Sequence, residues 1–146
     1  MSGKAISGRI LNVLLGQSNP TLTIYPVQNY AAGAGALVAG ATMTVTAAAW
    51  PAYVTIVTAI ATEYWLTQLF IDTVTLVAGF DLQIYNLTFT RTVWESKFSC
   101  TAVSPNLSPT KFPYPIYCQP TSVIQGRIGG AVGKTCNVSL LVATGI

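Results

Sequence analysis

The stretch "GGAVGKTCNVSLLVA", residues 129–143, decides between two very different folds. Its Gly-Lys-Thr triplet is how a phosphate-binding loop ends, and such a loop follows the pattern G-x-x-x-x-G-K-[ST] between a strand and a helix. Five residues before Gly133 the chain has Ile128 instead of the required glycine. A loop this short cannot wrap its backbone amides around a phosphate, so the triplet does not indicate a nucleotide site.

The residues after the triplet alternate between apolar and polar, which is the period of a β-strand and not of a helix. Cys136 and Val138 fall on one side, and Asn137 and Ser139 on the other. We therefore interpret the glycine-rich stretch as the tip of a β-hairpin, where glycine supplies positive φ angles. On this interpretation Lys134→Ala should leave assembly and stability nearly unchanged.

The same alternation recurs along the chain, and no stretch sustains a helical period. In "DLQIYN", Leu82 and Ile84 face one way while Asp81, Gln83 and Tyr85 face the other. The sequence predicts one all-β domain over residues 1–146, an antiparallel β-sandwich, jelly-roll-like, with about eight or nine strands. The predicted strands are residues 5–15, 21–25, 41–48, 53–61, 64–72, 80–85, 87–94, 122–128 and 135–142.

Three segments depart from this pattern. Residues 1–20 form an arm-like N-terminal strand, residues 28–41 a Gly/Ala linker, and residues 104–120 a long loop with five prolines. Aromatic side chains on a proline-stiffened loop lose little entropy on docking, which suits a contact arm, although the loop could equally fold back over its own core. The candidate partner-contact residues are Ile10, Leu11, Phe112, Tyr114, Ile116 and Tyr117.

Charged residues make up 8% of the chain, against about 25% in typical soluble domains. None occurs between Arg9 and Glu63. Two interpretations stay open: much of the surface faces other protein, or it is coated with uncharged polar side chains. The seven basic residues are scattered, so no nucleic-acid partner is predicted.

The sequence also gives no indication of a secretory signal or a membrane-spanning segment. The most apolar long segment, residues 31–61, is interrupted by glycines and by Pro51, so no membrane association is predicted. The first twenty residues lack the long apolar run and cleavage site of a secretory signal, and we expect synthesis in a cytoplasm.

The sequence offers little for catalysis. It contains no histidine and only four carboxylates, so we predict no enzyme activity, no metal and no cofactor. The three cysteines have no metal-binding spacing and are interpreted as buried thiols, with a Cys100–Cys118 bridge left open.

Two stretches together resemble a known family. They are "YWLTQLFIDTVTLVAGFDLQIYNL", residues 64–87, and the closing "SVIQGRIGGAVGKTCNVSLLVATGI", residues 122–146. Their order of strand, short loop, strand and glycine-tipped turn is similar to the small jelly-roll cement (decoration) proteins of tailed bacteriophage capsids. The likeness covers roughly residue 54 to the C terminus. It implies a trimer on the capsid surface of a virion that clamps neighbouring copies of the major capsid protein.

Two alternatives accompany this hypothesis. The chain could be a carbohydrate-binding module with Trp50, Tyr53, Trp65 or Tyr85 as stacking platforms on a sheet face. It could also be another structural protein of a virus, forming a shell, a tail tube or a fibre.

Overall fold

The protein is a two-sheet β-structure in a computed structural model, which describes residues 20–26, 40–47, 49–72, 74–75, 78–99 and 106–145, with backbone alone for 106–109. Within these ranges there are nine strands and no helix. A helix that could cross a membrane is therefore not found among the described residues. The strands are β1 Thr21–Tyr25, β2 Ala41–Thr44, β3 Val54–Val57, β4 Tyr64–Asp72, β5 Phe80–Asn86, β6 Arg91–Phe98, β7 Asn106–Cys118, β8 Ile124–Gly130 and β9 Thr135–Thr144.

All strand pairs are antiparallel and divide into two sheets. The five-stranded sheet has the order β1-β9-β4-β7, with β2 also paired to β9, and the four-stranded sheet has the order β3-β8-β5-β6. The pairs are nested along the chain: β5 with β6, β4 with β7, β3 with β8, and β1 and β2 with β9. Successive nested pairs alternate between the sheets, which is the topology of a jelly roll. The predicted fold class is confirmed.

One edge of the five-stranded sheet is made from two strands in line. Tyr25 at the end of β1 pairs with Leu140, and Ala41 at the start of β2 pairs with Val138, on the same strand β9. The chain therefore leaves this edge and returns to it almost at the same point. Gly40 is required there, because a Cβ on it would lie 2.7 Å from the Val138 carbonyl oxygen. The predicted Gly/Ala linker lies outside the described residues up to residue 39.

The core fills the space between the sheets. In β5, Phe80, Leu82 and Ile84 are buried and alternate with half-buried polar residues, as the sequence predicted. Met43 of β2 lies directly over Gly126 of β8, so the two sheets approach closely at a residue without a side chain. The open side between β6 and β7 is closed by an edge-to-face contact of Trp94 with Phe112, 5.3 Å between ring centroids.

Some predicted strands are displaced or shorter in the structure. The strand predicted at residues 87–94 begins at Arg91, because residues 87–90 form a turn. Asn86 is buried and its side-chain oxygen accepts a hydrogen bond from the Phe89 amide, which holds this turn. The strands predicted at 41–48 and 53–61 are limited to β2 and β3, and the predicted strand at 5–15 lies outside the described residues.

The proline-rich segment is a strand and not a loop. Residues Asn106–Cys118 form β7, the longest strand described. Proline cannot donate a ladder hydrogen bond and is therefore confined to sheet edges. Among the described strands β7 pairs with β4 alone, so its other side needs no donors and the prolines are compatible with the strand.

The prediction of a β-hairpin at the glycine-rich turn is wrong. The strands that flank the glycine-rich turn, β8 and β9, belong to different sheets. Residues 131–134 therefore carry the chain from the four-stranded sheet to the five-stranded one.

Candidate functional site

The Gly-Lys-Thr turn is a structural connection. Lys134 is 0% exposed, and its Nζ donates a hydrogen bond to the Ala78 carbonyl and lies 5.3 Å from the centre of the Phe80 ring. Its backbone amide donates a hydrogen bond to the Ala131 carbonyl within the turn, and its carbonyl accepts one from the Val45 amide. The side chain points into the protein and not towards a ligand. This burial overturns our expectation that Lys134→Ala is neutral.

Strand β7 carries four of the six predicted contact residues. Between the pairs Leu66–Ile116 and Gln68–Lys111, β4 has one residue and β7 has four. Phe112 to Pro115 therefore form a bulge in β7, in which Phe112 packs into the core and Tyr114 faces solvent. Tyr114 lies between two prolines in this bulge and is 81% exposed, the most exposed large apolar residue described.

The other contact candidates have different surroundings. Phe112 is buried against Trp94, and Ile116 packs on the core. Tyr117 lies 5.4 Å from Trp65, between ring centroids, and its hydroxyl donates to Glu63 over 3.2 Å. Of these four, Tyr114 is the exposed one. Ile10 and Leu11 lie outside the described residues.

The outer surface of the five-stranded sheet, which we name the apolar face, carries a cross-strand row. Leu22 pairs with Ala143, Ala143 with Trp65, and Trp65 with Tyr117, so their side chains share one side of the sheet. The row runs from the β1 edge, where Leu22 is 57% exposed, to β7. The row itself is apolar, whereas Glu63 adjoins it at Tyr117, and Asp72 and Lys111 lie elsewhere in β4 and β7.

Trp65 is the most unusual residue of the apolar face. It is 0% exposed although it lies on the side of the sheet opposite to the core. Its indole Nε1 is buried and has no hydrogen-bond partner. An indole N–H is normally satisfied when buried, so this unbonded donor is an exception among the described residues.

The outer surface of the four-stranded sheet, which we name the polar aromatic face, is built differently. Its residues combine aromatic rings with hydrogen-bonding and charged side chains. They are Trp50, Tyr53, Asp81, Gln83, Tyr85, Glu95, Lys97 and Arg127.

The rings of this face stack around one guanidinium group. Arg127 Cζ lies 4.7 Å from the centre of the Trp50 ring and 4.2 Å from that of Tyr53. Tyr53 stacks in turn on Tyr85, with 4.4 Å between centroids and 21° between planes. Cation–π contacts at these distances hold the side chains in place.

A hydrogen-bonded chain crosses the sheet beside the rings. Arg127 Nε donates to Gln83 Oε1, and Gln83 Nε2 donates to Glu95 Oε2, both over 2.8 Å. The chain orders three side chains from β8, β5 and β6. Next to it, Lys97 Nζ lies 4.0 Å from Asp81 Oδ1 at the surface.

The polar aromatic face carries a large share of the described charges. Of eleven charged side chains, Lys4 and Arg9 lie outside the described residues, which leaves nine. Four of these nine belong to the polar aromatic face, as Asp81, Glu95, Lys97 and Arg127.

The described residues contain no group of three or more side chains able to hold a metal ion. Cys118 and Cys136 are free thiols, and burial raises the pKa of each to about 12. At neutral pH both are therefore protonated and unsuited to nucleophilic chemistry. Cys118 forms no bridge to Cys100.

Sequence reasoning identified only part of the polar aromatic face. Trp50, Tyr53 and Tyr85 are brought together, whereas Trp65, the fourth predicted platform, lies buried on the opposite outer face. Arg127, Gln83 and Glu95 were missed as partners of the rings. Their alternate positions in β8, β5 and β6 were the available signal, but pairing between distant strands decides which of them meet.

Comparison of the chain with protein-family models, with curated proteins and with solved structures found no match.

Proposed function

We propose that the protein is a structural component of a virus particle, most simply a capsid cement (decoration) protein. It self-associates, as a trimer by analogy with the proteins it resembles, and clamps neighbouring major capsid subunits. The observation that carries the proposal is the exposed apolar edge of the five-stranded sheet, where Leu22 and Ile24 of β1 are 57% and 37% exposed.

This surface has the composition of a protein interface. Charged residues are depleted at the centres of such interfaces, and aromatic residues are enriched. Trp65 and Ala143, further along the row, are 0% and 2% exposed within one chain, so they support this edge from below and do not reach a partner. We assign the exposed β1 edge of the apolar face to contact between sister copies.

The architecture also supports a virion protein. Jelly rolls with two Greek keys are the fold of many viral capsid domains, and lectins use the same architecture. The low charge of the whole chain suits a protein that works surrounded by other protein. The sequence resemblance to cement proteins points in the same direction.

Tyr114 is the proposed contact to the capsid subunit. It lies in the bulge of the β7 edge strand and is 81% exposed, and the flanking prolines restrict the backbone that carries it. An exposed, pre-organised tyrosine has the properties of an interface hot spot. Because the protein would bind the assembled shell and not its free subunits, binding stabilises the shell by mass action.

The proposal is tested by electron microscopy of particles isolated with the chain, with and without Tyr114→Ala. The expected density lies at regular positions outside the shell, and Tyr114→Ala should lower occupancy about tenfold. Val132→Ala, which alters another exposed apolar residue, is the matched control and should keep full occupancy. Assembly of the purified chain alone into shells, tubes or fibres would instead identify a shell, tail-tube or fibre protein.

A further inference from the structure

We propose that the polar aromatic face binds a neutral oligosaccharide. This site is separate from the apolar face and does not depend on the proposed role in a virus particle. The inference rests on four features of the face: a free indole surface, fixed rings, paired donors and acceptors, and zero net charge.

Trp50 provides a flat surface for a sugar ring. A Cβ built on Gly129 would lie 3.2–3.3 Å from three consecutive carbons of the indole, so the flat side of its six-membered ring rests on the backbone of β8. Arg127, two residues earlier on β8, contacts the same ring. The opposite side of the indole therefore faces away from the sheet, and the residue is 38% exposed.

The platform is fixed before any ligand arrives. Arg127 is held between the rings of Trp50 and Tyr53, and its Nε is bonded to Gln83. Tyr53 is in turn stacked on Tyr85. Side chains that are already ordered lose little entropy on binding. This favours an oligosaccharide, because each of its sugar units makes few contacts.

Hydrogen-bonding groups lie beside the platform at the spacing of neighbouring strands. Glu95 and Asp81 accept, while Arg127 and Lys97 donate, and Gln83 does both. Sugar hydroxyl groups donate and accept, so they can pair with both kinds of side chain. Two acidic and two basic residues give the face no net charge, which favours a neutral ligand over an anion.

A protein partner is the rival occupant, because Trp, Tyr and Arg are typical hot-spot residues. The charge count argues against it. Four of the nine described charged side chains would have to lose water at the centre of such an interface, where charged residues are normally depleted. A ligand rich in hydroxyl groups replaces that water with hydrogen bonds of its own.

The test begins with acrylamide quenching of tryptophan fluorescence during titration with cello-, malto-, manno- and chito-oligosaccharides of six units. Trp65 is buried and Trp94 half-buried, so quenching reports mainly on Trp50. At least one of these neutral oligosaccharides should protect Trp50 from the quencher with a dissociation constant in the micromolar to millimolar range. Absence of protection across the panel at about 10 mM overturns the proposal.

Calorimetry with variants then locates the site. Trp50→Ala should weaken binding of the positive oligosaccharide about tenfold or more, Trp50→Phe should retain most of it, and Glu95→Ala, at an exposed position, should weaken it several-fold. Tyr114→Ala removes an exposed ring elsewhere and should bind normally. The proposal is overturned if Trp50→Ala and wild type bind equally, or if Trp50→Ala abolishes self-association.

Discussion

The two outer faces of this jelly roll each contain one tryptophan, and the surroundings of those residues differ completely. Trp65 on the apolar face is fully buried beside alanine, leucine and tyrosine, with an unbonded indole N–H. Trp50 on the polar aromatic face lies flat on glycine and arginine with one side open. One fold therefore presents an apolar row with an exposed edge at β1 and, on the other sheet, a charged, hydrogen-bonding surface.

The difference indicates what each face can bind. Water is removed at low cost from the apolar face, so another protein surface is its natural complement. The polar aromatic face keeps its charges hydrated and fits a ligand that brings hydroxyl groups. Because the faces lie on separate sheets, a substitution on one should leave the role of the other intact.

The largest expected difference is in stability between the two tryptophan positions. Trp65→Ala should lower the free energy of unfolding by about 3–5 kcal/mol, because it removes a fully buried ring. Trp50→Ala should cost no more than about 1 kcal/mol, since its ring is partly exposed. Urea denaturation followed by circular dichroism measures both. Equal costs would show that the two faces are not distinguished by burial.

A second, smaller effect concerns the turn that joins the two sheets. Lys134→Ala should cost about 2–3 kcal/mol, because it leaves a cavity and a carbonyl of Ala78 without this donor. Lys134→Met keeps most of the volume and should cost less, while Val132→Ala at the exposed tip should be neutral. The same denaturation experiment compares the three variants. A neutral Lys134→Ala would restore the view of an exposed hairpin tip.

The smallest effect is expected beneath the open tryptophan. Gly129→Ala places a methyl group against the Trp50 ring at 3.2–3.3 Å and should lift that ring from the sheet. Stability should change by no more than about 1 kcal/mol, whereas acrylamide quenching of Trp50 should increase. Unchanged quenching would mean that the ring is not seated on Gly129 in solution.

The sequence predicted much of the strand pattern, because burial in a sandwich follows a period of two. Strand β4 coincides with its predicted bounds, and β5 and β9 are each extended slightly at the C-terminal end. Strand β7 was missed because its prolines are typical of loops, and only its position at a sheet edge permits them. Alternation also does not tell which sheet a strand joins, so the turn between β8 and β9 was interpreted as a hairpin.

The candidate sites were harder to predict for the same reason. Alternation placed Gln83 and Tyr85 on an outward side of β5, but their meeting with Arg127 and Tyr53 depends on pairing between distant strands. Burial of Lys134 depends on how the two sheets join. No feature of the local sequence indicates contacts between strands that are distant along the chain.

The mass of the protein in solution tests the central claim, that the exposed β1 edge of the apolar face is covered by a sister copy. Light scattering should give about three times the chain mass of 15.4 kDa for the wild type. Leu22→Asp, which puts a charge on the apolar face, should reduce the mass to that of one chain. Thr92→Asp, the same charge at an exposed position beside the polar aromatic face, should keep the oligomer. A wild-type mass of one chain, or equal masses for the two variants, would contradict the account.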